Sequence, residues 1–298
     1  MQQAKAKPTR VIALMNQKGG VGKTTTTVNL GAALARAGRR TLIVDLDPQA
    51  HASLSLGIDP AELEHSVYDV LLDPTADAQS CITRRSDNLD VLPSQTDLAA
   101  AELELGNASD RQKRLEAALA RLGGAYEFVL IDCPPSLGLL TLNGLAAARE
   151  VIVPMQAHYL ALQGVGKLLE TVGLVSKAVN PRLRVTGVVL CMHDTSSTHT
   201  REVVADLEGF FEQARAGDAP WKYSRVLRPA IRRNIKLAEC PSFGQTIFEY
   251  APGAPGAEDY AALATGLLRD WDALLARRES PIVEVPASIV TGMGEVAP

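Results

Sequence analysis

The stretch "NQKGGVGKTTTTVNLGAALARAG", Asn16 to Gly38, decides how the rest of the chain is read. A short apolar run, "RVIALMN" (Arg10–Asn16), leads into it and predicts a buried strand. A glycine-rich turn between a strand and a helix lets backbone N–H groups converge on phosphate oxygens, and the helix N-terminus adds favourable potential. The spacing predicts a helix over Lys23–Ala37, capped at its end by Gly38. In such a loop Lys23 reaches β- and γ-phosphates and the Thr24 hydroxyl ligates Mg²⁺. The common pattern G-x-x-x-x-G-K-[ST] nevertheless fails at its first position. Gln17 stands there in place of glycine, and a second lysine, Lys18, follows it.

Further strands are predicted at "TLIVDLD" (Thr41–Asp47), "LDVLPS" (Leu89–Ser94) and "FVLIDCPP" (Phe128–Pro135). Two more follow at "EVIVPMQ" (Glu150–Gln156) and "RVTGVVLCM" (Arg184–Met192). Helical patterns separate them, among them Gln112–Leu122 and Gly164–Ala178, with a helical excursion over Leu63–Asp73. Strands apolar on both faces, alternating with helices, imply an α/β fold: a doubly wound, mostly parallel sheet flanked by helices. The expected organisation is one domain over residues 10–278, a short tail over 1–9, and a mobile tail over 279–298. That last stretch is rich in Pro, Gly, Ser and small apolar residues and has no helical period.

Two strand ends carry carboxylates. In "VDLDPQA" Asp45 and Asp47 are two residues apart, which on a strand puts both on one side. "FVLIDCPPS" ends in Asp132, an acidic group placed to hold Mg²⁺ through water, and Pro134 and Pro135 stop the strand.

The composition of the 298 residues excludes several classes. Four cysteines without a C-x-x-C pair argue against a disulfide framework or a zinc site, and the five histidines have no ligand spacing. No apolar run reaches the roughly 18 residues of a membrane span. A net charge of −4 argues against a uniformly basic nucleic-acid binder but leaves room for a local patch. Trp221–Lys236 is such a candidate. It carries Lys222, Arg225, Arg228, Arg232, Arg233 and Lys236 and no acid. Lysine and arginine contacts to phosphate supply sequence-independent DNA affinity. The competing expectation is a solvated face paired with acidic neighbours such as Glu212 and Asp218.

From Lys18 onward, K-G-G-V-G-K-T matches the deviant Walker A pattern K-G-G-x-x-G-K-[ST]. The chain thereby resembles the ParA/MinD family of ATPases. "DLDPQ", the segment from Asp132 to Val172 and "KLAECPSFGQTIFEYAPGAPGAEDYAALA" are similar to its chromosomal ParA/Soj branch, so the resemblance covers about Arg10 to Leu275. It implies ATP and Mg²⁺ as ligands. Lys18 is then the lysine that crosses to the nucleotide of a second subunit, and Gly19, Gly20, Val21, Gly22, Lys23, Thr24 and Thr25 cradle the phosphates. Asp47 orients or activates the attacking water. Thr24, Asp47 and Asp132 serve the metal. The E-x-P-S segment, Glu239–Ser242, lines the adenine pocket, with Pro241 against the ring and Met192 and Asp194 nearby.

The same resemblance implies an ATP-dependent homodimer, nonspecific DNA binding through Arg228, Arg232, Arg233 and Lys236, and a ParB-type activator. It implies a cytoplasmic, nucleoid-associated protein that partitions replicated DNA. Relatives that position microcompartments or chemoreceptor arrays, and MinD-like regulators at membranes, are the alternatives. The few residues before the first strand leave no room for a helix-turn-helix domain. "SPIVEVPASIV" lacks the lysines and leucines of a membrane-targeting helix. After "CMHD" this chain has "TSSTHT", Thr195–Thr200, where the family carries an arginine-containing stretch.

Overall fold

Residues 8–194 and 198–279 are described by the computed structural model. The glycine-rich stretch leaves β1 (Arg10–Leu14) and enters α1 (Lys23–Arg36). Ala37 is the cap residue, and Gly38 takes φ +79°, the left-handed conformation that suits glycine just past a helix. Strand β2 (Thr41–Asp45) leads to α2 (His51–Ser55) and α3 (Val67–Leu72). A hairpin of β3 (Thr83–Ser86) and β4 (Leu89–Leu92) is followed by α4 (Ala101–Glu104), α5 (Arg114–Arg121) and β5 (Phe128–Asp132). Next come α6 (Leu139–Ala147), β6 (Glu150–Met155), α7 (Tyr159–Ala178), β7 (Arg184–Leu190) and α8 (Thr198–Ala214). The described chain closes with β8 (Arg225–Leu227), α9 (Lys236–Glu239), α10 (Ile247–Tyr250) and α11 (Pro255–Glu279).

The strands form one eight-stranded sheet in the order β3-β4-β2-β5-β1-β6-β7-β8. Every pairing is parallel except the β3–β4 hairpin. Side chains alternate across each strand, so one strand feeds two cores. Leu42 and Val44 of β2 join Ile131, Leu145 and Val172 on one face; Ile43 joins Leu30, Leu34, Leu130 and Leu263 on the other. This is the doubly wound arrangement the apolar strands imply.

All six expected strands are present, somewhat shorter than their apolar runs. Two were not expected. Strand β3 is an edge strand of alternating half-buried and exposed residues, and β8 has only three residues. Neither is long or apolar enough to stand out from its flanks. The second lies inside the segment read as a basic surface. The expected tails, 1–9 and 279–298, fall almost wholly outside the described residues, as do residues 195–197 of the "TSSTHT" stretch. Thr9 is tied to the fold, its Oγ1 donating to the Tyr126 carbonyl at 2.8 Å, and Glu279 is the last residue of α11. Among the described residues no helix is long and apolar enough to cross a membrane.

Candidate active site

Ligands of open α/β sheets lie outside the carboxyl ends of the strands. Here the ends of β1, β2, β5, β6 and β7 converge on two adjoining cavities. One, of about 710 Å³, is lined by Gly19, Gly20, Gly22, Lys23, Thr24 and Thr25 on one side and by Asp47, Gln49, His51 and Pro134 on the other. The second, of about 410 Å³, is lined by Cys191, Ile231, Ile235, Leu237, Ala238 and Tyr260, with Arg232, Arg233 and Asn234 at its polar side. Gly22, Thr25 and Met192 belong to both. A compartment that presents a helix N-terminus, a lysine and a carboxylate, beside an apolar one, suits a nucleoside polyphosphate.

The loop geometry explains its glycines. Gly20 has φ +71° and Gly22 φ +94°. A Cβ on Gly22 would also lie 3.1 Å from the Cys191 Sγ. Gly22 caps α1 without a side chain, and the first turn holds no acid, so its backbone N–H groups stay available to an anion. Lys23 is buried to 8% exposure and its Nζ reaches the Lys18 carbonyl at 3.4 Å. Val21 is buried and lines neither cavity, while Lys18 is exposed outside both walls.

The carboxylates divide their work. Strand β2 ends at Asp45, and Asp47 lies two residues beyond its end. Asp45 is fully buried and accepts hydrogen bonds from Ser53 N and Oγ, both at 2.8 Å, and from Asp47 N at 3.2 Å. It holds the loop. Asp47 lies beyond the strand in the wall of the phosphate cavity, its carboxylate accepting from Gln49 N at 3.0 Å and its carbonyl from Ser94 Oγ at 2.8 Å. Asp132 stands opposite Asp45 in the β2–β5 register. Its two oxygens accept from Thr24 Oγ1 at 2.7 Å and Thr27 Oγ1 at 2.8 Å.

A family model described as an AAA domain matches residues 9–185. The chromosome partitioning protein ParA of Myxococcus xanthus is 42% identical over 260 residues, 87% of this chain and 88% of that protein. The sporulation initiation inhibitor protein Soj of Bacillus subtilis is 44% identical over 256 residues, 86% of this chain and 96% of that protein. A solved structure described as cobyrinic acid a,c-diamide synthase from Mycobacterium smegmatis, with bound ATP analogue and magnesium, is 41% identical with a TM-score of 0.74. It covers 89% of this chain and 96% of its own. The chain belongs to the ParA/Soj family of ATPases.

A ParA-type site implies magnesium, and the residues present fit it. Mg²⁺ takes hard oxygen ligands and is held by one or two side chains plus substrate phosphates. Among the described residues no cluster of three or more His, Cys, Asp or Glu could hold a metal alone, which accords with that mode. Thr24 gives its one proton to Asp132, so its lone pairs remain for the metal. Asp132, with both oxygens engaged by Thr24 and Thr27, would reach such a metal only through Thr24 or water.

The residues expected at the base stand differently to the two cavities. Met192, at φ +50°, lines both cavities, and Gln156 Nε2 approaches its sulfur at 3.1 Å. Pro241 lies outside both walls, in the 3₁₀ turn Cys240–Phe243. The apolar wall comes from Ile231, Ile235, Leu237, Ala238 and Tyr260, residues with no local signal because they meet only in the fold. Glu239 of the E-x-P-S segment instead accepts from Lys236 Nζ at 2.8 Å and Tyr250 Oη at 2.9 Å.

The basic segment is mostly neutralised. Lys222 pairs with Asp218, Arg225 with Asp270, Arg228 with Glu208 and Lys236 with Glu239. Arg232 is held by Glu258 and by the buried Asp259 at 2.9 and 2.8 Å. Of the six cations, Arg233 has no ion pair among the described residues and is exposed. The expectation of acidic partners holds for Asp218; Glu212 pairs with Arg215 instead.

Burial and the neighbouring Asp132 charge push the Asp45 carboxyl up to about 7. Burial pushes Asp132 up to about 6, against the pull of Thr24, Thr27 and Lys23. A carboxyl group raised in the folded state favours folding at pH below its unfolded value, and that contribution is lost as pH rises through the folded value. Between pH 5 and 8 the nucleotide-free protein should therefore lose more thermal stability than its Asp45→Asn variant, by on the order of 5 °C. Calorimetric melts at the two pH values check this; equal losses would mean that Asp45 is ionised throughout.

Proposed function

We propose that this chain binds ATP and Mg²⁺ in the two-compartment cleft, closes into a homodimer across it, and binds DNA without sequence preference while dimeric. Hydrolysis then releases the DNA, and a ParB-type activator times that release. The work is partitioning of replicated DNA in the cytoplasm, on the nucleoid. The observation that carries the reading is the split between the two loop lysines, in a chain 42% identical to a chromosome partitioning protein. Lys23 is sunk into the phosphate cavity, whereas Lys18 lies outside it, where it can serve a second subunit's nucleotide.

Each group has a place in the reaction. The N–H groups at the start of α1 and the Lys23 ammonium bind the phosphates and fix the γ-phosphoryl for in-line attack. Asp47 orients the water and accepts its proton. Lys18 of each subunit meets the charge that develops on the other's nucleotide. Magnesium, when bound, neutralises the β- and γ-phosphate oxygens. The apolar side chains of Ile231, Ile235, Leu237 and Ala238 hold the base.

Arg233 is the cation of the basic segment best disposed toward a phosphate backbone. Arg228 and Lys236 sit in exposed pairs that a phosphate can replace at little cost. Arg232 is committed to Asp259. The testing experiment measures binding to a DNA duplex of arbitrary sequence with ATP, ADP or no nucleotide across a salt series. Binding should require ATP and weaken steeply with salt; equal binding in all three states would overturn the proposal. Arg233→Glu should weaken that binding about tenfold or more; because Arg233 also lines the second cavity, DNA binding is compared at ATP concentrations that saturate dimerisation of the variant. Undiminished affinity would put the DNA surface elsewhere.

A further inference from the structure

Lys18 has a partner within its own chain. Its Nζ lies 2.9 Å from His158 Nε2. An ammonium only donates, so Nε2 carries the lone pair and the proton of the neutral ring is on Nδ1. His158 is the cap residue of α7, at the end of a short connection from β6. The end of β6 and that connection hold the phosphate loop at two further points. Asn16 Nδ2 donates to the Pro154 carbonyl at 2.8 Å, and Gln156 Nε2 donates to the Gly20 carbonyl at 3.3 Å. The Lys18 backbone is held as well, its N–H by Asn16 Oδ1 at 3.0 Å and its carbonyl by Lys23 Nζ. The loop is thus fixed from within, and its outer lysine is folded back onto the next strand connection.

We propose that His158 is a positioning residue that holds Lys18 against its own subunit in the isolated protomer and so opposes dimer closure. The inference rests on the reading of Lys18 as the lysine that crosses to the second subunit. Crossing requires Lys18 to leave His158, because one ammonium cannot stay at the β6–α7 connection and also reach a facing nucleotide. The contact is solvent-accessible, so its effect is modest. Removing it shifts the closing equilibrium by the worth of one hydrogen bond per subunit.

The test uses the full chain with Asp47→Ala to suppress turnover, and follows dimerisation by light scattering during Mg²⁺·ATP titration. His158→Ala should lower the half-maximal ATP concentration about two- to fivefold. His158→Gln, whose amide oxygen can accept from Lys18, should restore the parent midpoint. An unchanged or raised midpoint in His158→Ala, with Lys18→Ala still monomeric, overturns the tether alone. Dimerisation of Lys18→Ala at the parent midpoint overturns the underlying reading and the tether's consequence with it. A separate readout needs no dimer: in the nucleotide-free protein, Lys18→Ala should move the ¹⁵N resonances of the His158 ring. Unmoved resonances refute the contact.

Discussion

Lys23→Ala is expected to weaken ATP binding by about a hundredfold or more, the effect of truncating one member of a buried, hydrogen-bonded charge pair. Lys23 lines the phosphate cavity at 8% exposure, and the only hydrogen bond of its ammonium among the described residues is the 3.4 Å contact to the Lys18 carbonyl. The nucleotide-free fold therefore loses little when it goes. The nucleotide loses the one cation sunk in its own subunit's loop. Calorimetric titration of the folded variant with Mg²⁺·ATP measures this directly. Affinity within about threefold of the unmodified chain would refute the assignment of the loop, since a single exposed contact is worth about that much.

Asp47→Ala should leave ATP binding within a few-fold and slow turnover by about 10²–10⁴, the usual span for a positioned acid–base group. The variant should accumulate as an ATP-loaded dimer that stays on DNA. Single-turnover phosphate release and a DNA dissociation assay read the two halves of this expectation. Unchanged turnover would remove Asp47 from the chemistry. Asp45→Asn is the useful contrast. Asp45 lies two residues away but is fully buried, and its oxygens are taken by Ser53 and the Asp47 backbone. Its loss should show first in loop order and melting temperature.

The division of labour between those two aspartates shows how far the sequence could be read. "VDLDPQA" announces two acids at a strand end. Alternation would set them side by side, yet β2 stops at Asp45 and the turn at Pro48–Gln49 follows directly on Asp47. A strand boundary depends on where the neighbouring strand stops pairing: the β2–β5 register ends with Asp45 opposite Asp132. That information resides in β5, more than eighty residues away. The same holds for the base compartment. Met192, two residues past the end of β7, lines both cavities, whereas Pro241 lines neither. Short irregular turns fix which side of a segment faces a cavity, and Pro241 sits in one, Cys240–Phe243.

The basic segment makes the point with charge. Six cations and no acid within Trp221–Lys236 read as a phosphate-binding face. The carboxylates that pair with five of them come from Glu208 and Asp218 before the segment and from Glu239, Glu258, Asp259 and Asp270 after it. Coulomb attraction acts through space at a few ångströms and ignores sequence distance. Only the packing of α8, α9 and α11 around β8 could leave Arg233 as the open cation.

By itself the sequence determined the doubly wound sheet and the phosphate loop. Both rest on contiguous patterns: apolar runs that need cover on two faces, and a glycine turn that opens a helix toward an anion. The tertiary structure decided which groups share a surface: the wall from Ile231 to Ala238, the Thr24–Asp132 pairing, the neutralised arginines and the Lys18–His158 contact. Those depend on distances between segments remote in the chain, and such distances exist only once the sheet has brought the strand ends together.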